Sequence, residues 1–223
     1  MKLCSLCGEP ILDDPADPGD AESAEHAVPK QFFMTKVRRP PREKLWTVPS
    51  HQRCNQSYRM DEEYFYTYVY PLVDARNKGM GKELLADIRR RTRKPQPQAL
   101  LRRLLRDTSH VTPGGILLPP SVVWVKVEKP RIYRVVTKIA KCLYYKDRGK
   151  PMPKCSSSYV KLCESPEELE EPFDDLRKCE EVERRSAAPD IFRYWYVDDG
   201  GVNWYAMLFW EAFMVCMIFK EPD

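Results

Sequence analysis

The sequence predicts an α+β protein, and two observations carry this prediction. Helical periodicity governs the middle of the chain, whereas runs of aromatic and β-branched residues, typical of strands, dominate its last third. With 43% hydrophobic residues among 223, the chain can bury a real core. We divide it into a first segment at residues 1–78, a basic helical connector at 79–112 and an α+β unit at 113–223.

The first segment combines loops, one strand and one helix. A tight turn is predicted at residues 4–8 (CSLCG), and the Asp-, Pro- and Gly-rich residues 9–25 predict a loop. Residues 45–50 predict a short strand. Residues 61–78 predict a helix, because three acidic residues in its first turn suit the positive helix N-terminus. Gly79 predicts where this helix ends.

The connector predicts two helices, at residues 81–94 and 98–107, separated by a PQP break. Between Lys82 and Arg106 there are nine Lys and Arg residues but only two acidic ones. This surplus is either a solvated helix face or a stripe that binds phosphate groups. The second interpretation makes three consecutive residues candidates for nucleic-acid binding: Arg89, Arg90 and Arg91.

The last segment predicts a small antiparallel sheet packed on a helix. Residues 121–127 alternate as a strand, and residues 131–148 carry apolar side chains at helical spacing. Residues 191–197 and 203–219 predict further strands, joined by a hairpin turn at 198–201 (DDGG). We expect this unit to serve recognition, regulation or self-association, and a protein partner is one candidate for it.

Charge, targeting signals and cysteine content bound the class of protein. The net charge of +4 and a pI of about 8.5 permit a polyanionic partner without requiring one. No apolar run is typical of a signal peptide or a membrane span, since the longest, at 204–219, is interrupted by Glu211. We therefore expect a cytoplasmic protein with no membrane partner, whose eight cysteines are metal ligands or buried thiols.

Two pairs of residues with the same i, i+3 spacing predict a metal site. Cys4 and Cys7 form the first pair, and His51 and Cys54 form the second. A CxxC motif alone is a modest signal, but the two pairs together make a Cys3His set that suits a tetrahedral structural zinc. Such an ion would clamp both ends of the intervening segment. Three further polar residues would thereby come toward one place: Glu25, His26 and Asn55.

The order of these motifs resembles the HNH endonuclease family. Zinc-containing members carry CxxC, then Asp or Glu followed by His, then CxxCN, and this chain reads CSLC, EH and HQRCN. The resemblance covers about residues 1–78 and implies the ββα-metal fold, in which a hairpin and a helix hold a divalent cation. This chain departs from the pattern twice, because His51 replaces a cysteine and the family's third histidine is absent. Eight residues after Asn55 stands Glu63, flanked by Asp61 and Glu62.

The resemblance implies a metal-dependent endonuclease that hydrolyses phosphodiester bonds, with DNA favoured over RNA. His26 would be the general base, and Glu25 and Asn55 would hold a catalytic Mg²⁺ or Mn²⁺. Glu63 is the candidate third contact of that cation. Four basic residues are candidates for holding backbone phosphates: Lys30, Arg38, Arg39 and Arg53. By analogy, the protein would be an effector of bacterial anti-phage defence.

Other interpretations stay open. A zinc-stabilised nucleic-acid-binding module without cleavage would keep the zinc ligands and the basic connector, and the Glu-His pair would be incidental. A protein–protein adaptor would instead use the C-terminal sheet. For single residues, Asn55 could be a helix N-cap, His26 a surface residue and residues 61–63 ordinary charges of a helix N-terminus. His110 lies in a predicted loop and receives no role.

Overall fold

An antiparallel hairpin follows the N-terminal cysteine turn in the computed structural model, which describes residues 1–34, 45–120, 122–154, 157–163, 183–188 and 190–221. Its strands are β1 (Glu22–His26) and β2 (Thr47–His51), with Glu22 opposite His51 and His26 opposite Thr47. The strand predicted at 45–50 is confirmed to within two residues. The predicted loop is wrong over its last four residues, which belong to β1. Short 3-10 turns at Pro18–Asp20 and Lys30–Phe32 flank β1.

The hairpin leads directly into a run of helices. These are α1 (Gln52–Gln56), α2 (Arg59–Arg76), α3 (Lys78–Arg91) and α4 (Pro95–Arg106). The predicted helices in this region are confirmed, but the predicted end of α2 at Gly79 is wrong. Asn77 separates α2 from α3, and its side chain accepts a hydrogen bond of 3.1 Å from the Met80 amide. A cap at the start of α3, rather than a glycine, therefore marks the break.

Gly81 lets α2 and α3 approach each other closely. A Cβ at this position would lie 2.5 Å from Asp74 Cα, which is backbone and has little freedom to move. A Cβ at Gly79 would come no nearer than 3.6 Å to the Asn77 side chain, an ordinary contact. The missing side chain at position 81 therefore sets how tightly α3 packs on α2.

A two-residue ladder and a long helix follow. β3 (Thr108–Ser109) pairs with β4 (Trp124–Val125), so the strand predicted at 121–127 is shorter than expected. The helix predicted at 131–148 is confirmed as α5 (Lys129–Arg148). It ends at Gly149, whose φ of +68° is left-handed and favours glycine.

An antiparallel sheet forms the C-terminal part of the described chain. Its strands are β5 (Ser157–Cys163), β6 (Glu183–Ala188), β7 (Phe192–Asp199), β8 (Val202–Phe209) and β9 (Phe213–Lys220). Their spatial order is β5-β9-β8-β7-β6. The prediction of a small antiparallel sheet packed on a helix is confirmed, because α5 packs on β9.

The hairpin turns on either side of β8 use left-handed backbone. Gly200 and Gly201 make the predicted turn between β7 and β8, with φ of 56° and 85°. Trp210 and Glu211 make the turn between β8 and β9 with φ of 50° and 55°, although neither is glycine. The Trp210 side chain is fully buried, and its indole N–H donates to the Phe32 carbonyl at 3.2 Å. This burial and hydrogen bond offset the unfavourable backbone conformation.

One apolar cluster connects the hairpin, the helices and the sheet. It contains buried residues from all three predicted segments, among them Val48, Leu84 and Phe209. The Phe32 ring stacks on Phe65 with centroids 5.2 Å apart and contacts the Trp210 ring at 5.3 Å. The predicted boundaries after residues 78 and 112 stay a prediction. Helix α5 packs on α2, β2 and β9, so it reaches both the N-terminal hairpin and the sheet.

Candidate metal centre and adjoining polar site

The four predicted zinc ligands lie together. Ligand atoms of Cys4, Cys7, His51 and Cys54 are all within 4.8 Å of one another. The His51 Nδ1 atom is 3.4 Å from Cys7 Sγ and 3.9 Å from Cys54 Sγ. Three sulfurs and one imidazole nitrogen at this separation could hold a single metal ion, and the donor set suits zinc.

Local backbone geometry explains why these residues converge. The turn after Cys4 closes through a 2.9 Å hydrogen bond from the Gly8 amide to the Cys4 carbonyl, with Gly8 at a φ of +83°. The Ser5 amide donates to the Pro49 carbonyl at 2.9 Å, which ties this turn to β2. His51 is the last residue of β2, and Cys54 lies in the first turn of α1. The strand-to-helix junction therefore presents the second pair to the first.

A hydrogen bond sets the tautomer of His51. Its Nε2 atom is 3.0 Å from the Pro10 carbonyl, which can only accept a hydrogen bond. The proton must therefore be on Nε2, and Nδ1, which faces the three sulfurs, keeps its lone pair. A histidine ligand is commonly oriented in this way by a carbonyl behind it.

The pKa of the Cys4 thiol is lowered and the pKa of the Cys54 thiol is raised. Burial raises the pKa of Cys4, but backbone amides of Cys7, His51 and Leu6 donate to its sulfur and bring the pKa below its usual value. The pKa of Cys54 is raised to about 12 by burial and by the negative charge of the two neighbouring thiolates. A cation among the sulfurs would relieve this repulsion, because ligating cysteines are deprotonated when metal binds.

Asn55 connects the metal cluster to β1. Its Nδ2 atom donates to Ser23 Oγ at 3.0 Å. Since alternate residues of a strand share a face, Ser23 and Glu25 both face the helices, and His26 faces the other way. Asn55 lies inside α1, whose N-cap position is His51, so the interpretation of Asn55 as the N-cap is wrong. The structure thus places Asn55 and Glu25 on the same side of the hairpin.

Glu25 lies in a buried ion pair that the sequence analysis missed. The Glu25 residue is 4% exposed, and its Oε1 atom is 2.6 Å from Nζ of Lys138, which is fully buried in α5. Burial lowers the pKa of Lys138, but nearby negative groups, including Glu62 and Glu25, more than reverse this and raise it. The two carboxylates beside Nζ thus favour the charged ammonium, although burial also raises the pKa of Glu25. One feature of the sequence could have revealed Lys138: it lies between Val135 and Cys142 on the apolar face of the predicted helix.

Of the three acidic residues at the start of α2, Glu62 lies nearest to this pair. Its Oε1 atom is 3.0 Å from Lys138 Nζ, and its Oε2 atom accepts a 3.2 Å hydrogen bond from Gln31. Glu63, the predicted third contact of the catalytic cation, lies instead 3.1 Å from Arg91. Its role as a ligand stays a prediction. Asp61 binds two arginines of α5, at 2.7 Å each.

A cleft of about 590 Å³ adjoins this network between the start of α2, the end of α3 and the start of α4. Gln31, which also contacts Glu62, is one of the residues that line the cleft. Glu63 contributes a carboxylate to the same lining. Four cationic residues line it: Arg59, Arg90, Arg91 and Lys94. The cleft is therefore positively charged and suits an anionic group.

The predicted phosphate-binding residues differ in their availability. The Arg91 side chain is 12% exposed, stacks over the Tyr66 ring at 4.1 Å and lies 2.6 Å from Asp87, so it takes part in an internal network. Arg53 pairs with Asp20 at 2.8 Å on the surface. Lys30, Arg89 and Arg90 are exposed, and Arg90 pairs with Asp87. The remaining predicted candidates, Arg38 and Arg39, lie outside the described residues.

Comparison with models of protein families, with curated proteins and with solved structures finds no match to this chain. Among the described residues, no helix combines the length and apolar character needed to cross a bilayer. The metal cluster and its surroundings are therefore the basis for a proposed function.

Proposed function

We propose that this protein is an HNH-type endonuclease that hydrolyses phosphodiester bonds of DNA. The supporting observation is the placement of two sites on one hairpin. A Cys3His cluster fastens the N-terminal turn to the junction of β2 and α1. The residue after its last ligand, Asn55, contacts the strand that carries Glu25 and His26. Two strands followed by a helix, with these residues in this order, match the motifs that the sequence shares with the family.

The surroundings of Glu25 fit a divalent cation in one respect. Its Oε2 atom is buried and has no hydrogen-bond partner among the described residues. A buried carboxylate oxygen in this condition is costly unless an ion or water binds it. Glu25 would offer this oxygen, and Asn55 its amide oxygen, since the Asn55 amide nitrogen already donates to Ser23. A bound Mg²⁺ or Mn²⁺ would neutralise the scissile phosphate and the leaving oxygen.

The remaining chemistry is assigned to the chain's own side chains. His26 would accept the proton of the attacking water, because an imidazole ordinarily titrates near neutral pH. Its position on the face opposite Glu25 lets the two residues act on different groups. The exposed cations Arg59 and Lys94, which line the cleft, and the exposed Lys30 would hold the flanking backbone phosphates.

A nicking assay tests this function. Supercoiled plasmid is incubated with wild-type protein and Mg²⁺ or Mn²⁺, and with His26→Ala. We expect nicking by the wild type and a loss of roughly 100-fold or more in the variant, as for removal of a general base. His110→Ala is the matched control, because His110 is an exposed histidine elsewhere in the chain. A wild type that is inactive with every divalent ion, or an equally active His26→Ala, contradicts the proposal.

A second candidate function is a zinc-stabilised nucleic-acid-binding module without cleavage. The observation that favours it is the Lys138 ammonium on Glu25, since a buried carboxylate that already has a counter-ion needs no metal. This function predicts salt-dependent binding to DNA with no nicking. A role in anti-phage defence, and a protein partner for the C-terminal sheet, remain proposals from analogy.

A further inference from the structure

The Lys138 ammonium is surrounded by oxygen atoms in the way that a bound cation would be. Nζ lies 2.6 Å from Glu25 Oε1, 3.0 Å from Glu62 Oε1 and 3.0 Å from the His26 carbonyl. A lysine ammonium has three N–H donors and no acceptor, so these three oxygens account for all of its hydrogen bonds. Two carboxylates from different elements, β1 and α2, thus share one fixed positive charge.

The backbone that carries this charge is held firmly. Lys138 is 0% exposed and lies on a helix whose neighbouring buried residues include Val135, Ile139 and Cys142. Withdrawing α5 would expose this apolar face to water, which is unfavourable. The ammonium is therefore a permanent part of the site.

The two carboxylates have unequal capacity for another cation. Both oxygens of Glu62 are engaged, one by Lys138 and the other by Gln31. Glu25 has one oxygen on Lys138, whereas its Oε2 is buried without a hydrogen-bond partner among the described residues. Any further cation would meet a single free carboxylate oxygen and, close by, a like charge.

We propose that Lys138 is the resident cation of the Glu25–Glu62 pair and limits this site to weak binding of a divalent ion, with Glu25 Oε2 as its one carboxylate ligand. The inference rests on the proposed function for the identity of the ion, but the lysine's place is independent of it. Glu62 lies at the site, but its ion pair with Lys138 prevents it from binding the divalent ion. The divalent ion would bind more tightly if the ammonium were absent, because affinity for such ions rises with the number of charged ligands.

The test is a double-mutant cycle on Mn²⁺ affinity, measured by electron paramagnetic resonance on zinc-loaded protein. We expect Glu62→Gln to bind Mn²⁺ within about twofold of wild type, because Glu62 is not a ligand while Lys138 is present. Lys138→Met, of similar length but uncharged, should bind at least about tenfold more tightly. The double variant Lys138→Met/Glu62→Gln should lose that gain, which would show that Glu62 supplies it.

Two results would overturn the inference. One is a Lys138→Met variant that binds Mn²⁺ no more tightly than wild type, and the other is a Glu62→Gln variant whose Mn²⁺ affinity falls by about tenfold. If Lys138→Met unfolds, refolding in Mn²⁺ supports the inference, and a protein that stays unfolded with and without Mn²⁺ contradicts it. The proposed function fails separately. A wild type with no Mn²⁺ site and no nicking would refute the nuclease, whereas a gain in Lys138→Met would still show the lysine in the cation's place.

Discussion

Removing one ligand of the Cys3His cluster should release the N-terminal turn from the hairpin. Cys54→Ser replaces a thiolate by a hydroxyl, which is a poor zinc ligand. A metal ion held by the cluster would link Cys7 to His51, which are 44 residues apart. In the chain-entropy model used for cross-links, closing a loop of this length is worth about 4 kcal/mol.

That free energy sets the size of the expected effect. For a protein of this length, each kcal/mol corresponds to roughly 2–4 °C in the unfolding midpoint. We therefore expect Cys54→Ser, or wild type treated with a strong chelator, to unfold roughly 8–16 °C below the zinc-loaded protein. The assays are zinc content by mass spectrometry, about one ion per chain in the wild type, and thermal unfolding followed by circular dichroism.

The matched control is Cys216→Ser, which changes a half-buried cysteine of β9 outside the cluster. It should keep its zinc. The reasoning is refuted if Cys54→Ser retains about one zinc per chain, or if chelation removes the ion without lowering the unfolding midpoint.

Two further predictions concern stability. Gly81→Ala should destabilise the protein by about 1–3 kcal/mol in urea unfolding, since its Cβ would meet the Asp74 backbone; Gly79→Ala, where there is room, should not, and equal losses would argue against the close contact. Burial raises the pKa of Asp87, but hydrogen bonds from Arg90 and Arg91 bring it below its usual value. The folded pKa lies below the unfolded one, so this stabilisation is present above about pH 4 and is lost as the pH falls through the folded pKa. Unfolding measured at several pH values should show a smaller acid-induced loss for Asp87→Asn than for wild type, and parallel curves would contradict the assignment.

The sequence predicts best those residues that are brought together by regular spacing along the chain. The i, i+3 spacing brings the two members of each pair together, and two such pairs together suit one zinc ion, so the Cys3His cluster could be predicted from the motif. The helices followed from apolar periodicity. The strand β1 was missed because its residues, ESAEH, carry no hydrophobic alternation. Its conformation comes from pairing with β2, which the intervening sequence does not encode locally.

The environment of Glu25 depends on contacts between distant parts of the chain. Lys138 is more than a hundred residues away from Glu25, and nothing in the spacing of either residue indicates the other. The choice between Glu62 and Glu63 is likewise a matter of helix orientation, since successive residues point about 100° apart. That rotation sends Glu62 toward α5 and Glu63 toward Arg91.

Because α5 packs on both the N-terminal hairpin and the C-terminal sheet, the N-terminal part cannot be separated from the rest of the chain without losing contacts. A fragment that stops before residue 129 keeps every Cys and His of the metal cluster, yet it leaves Glu25 and Glu62 without their ammonium. It also leaves Phe32 without the Trp210 indole that caps its carbonyl. Such a fragment could load zinc and still be misassembled around Glu25. The hairpin therefore cannot be moved to another protein by itself. A recombinant chain with a different C-terminal half must supply a buried lysine that reaches Glu25 and Glu62.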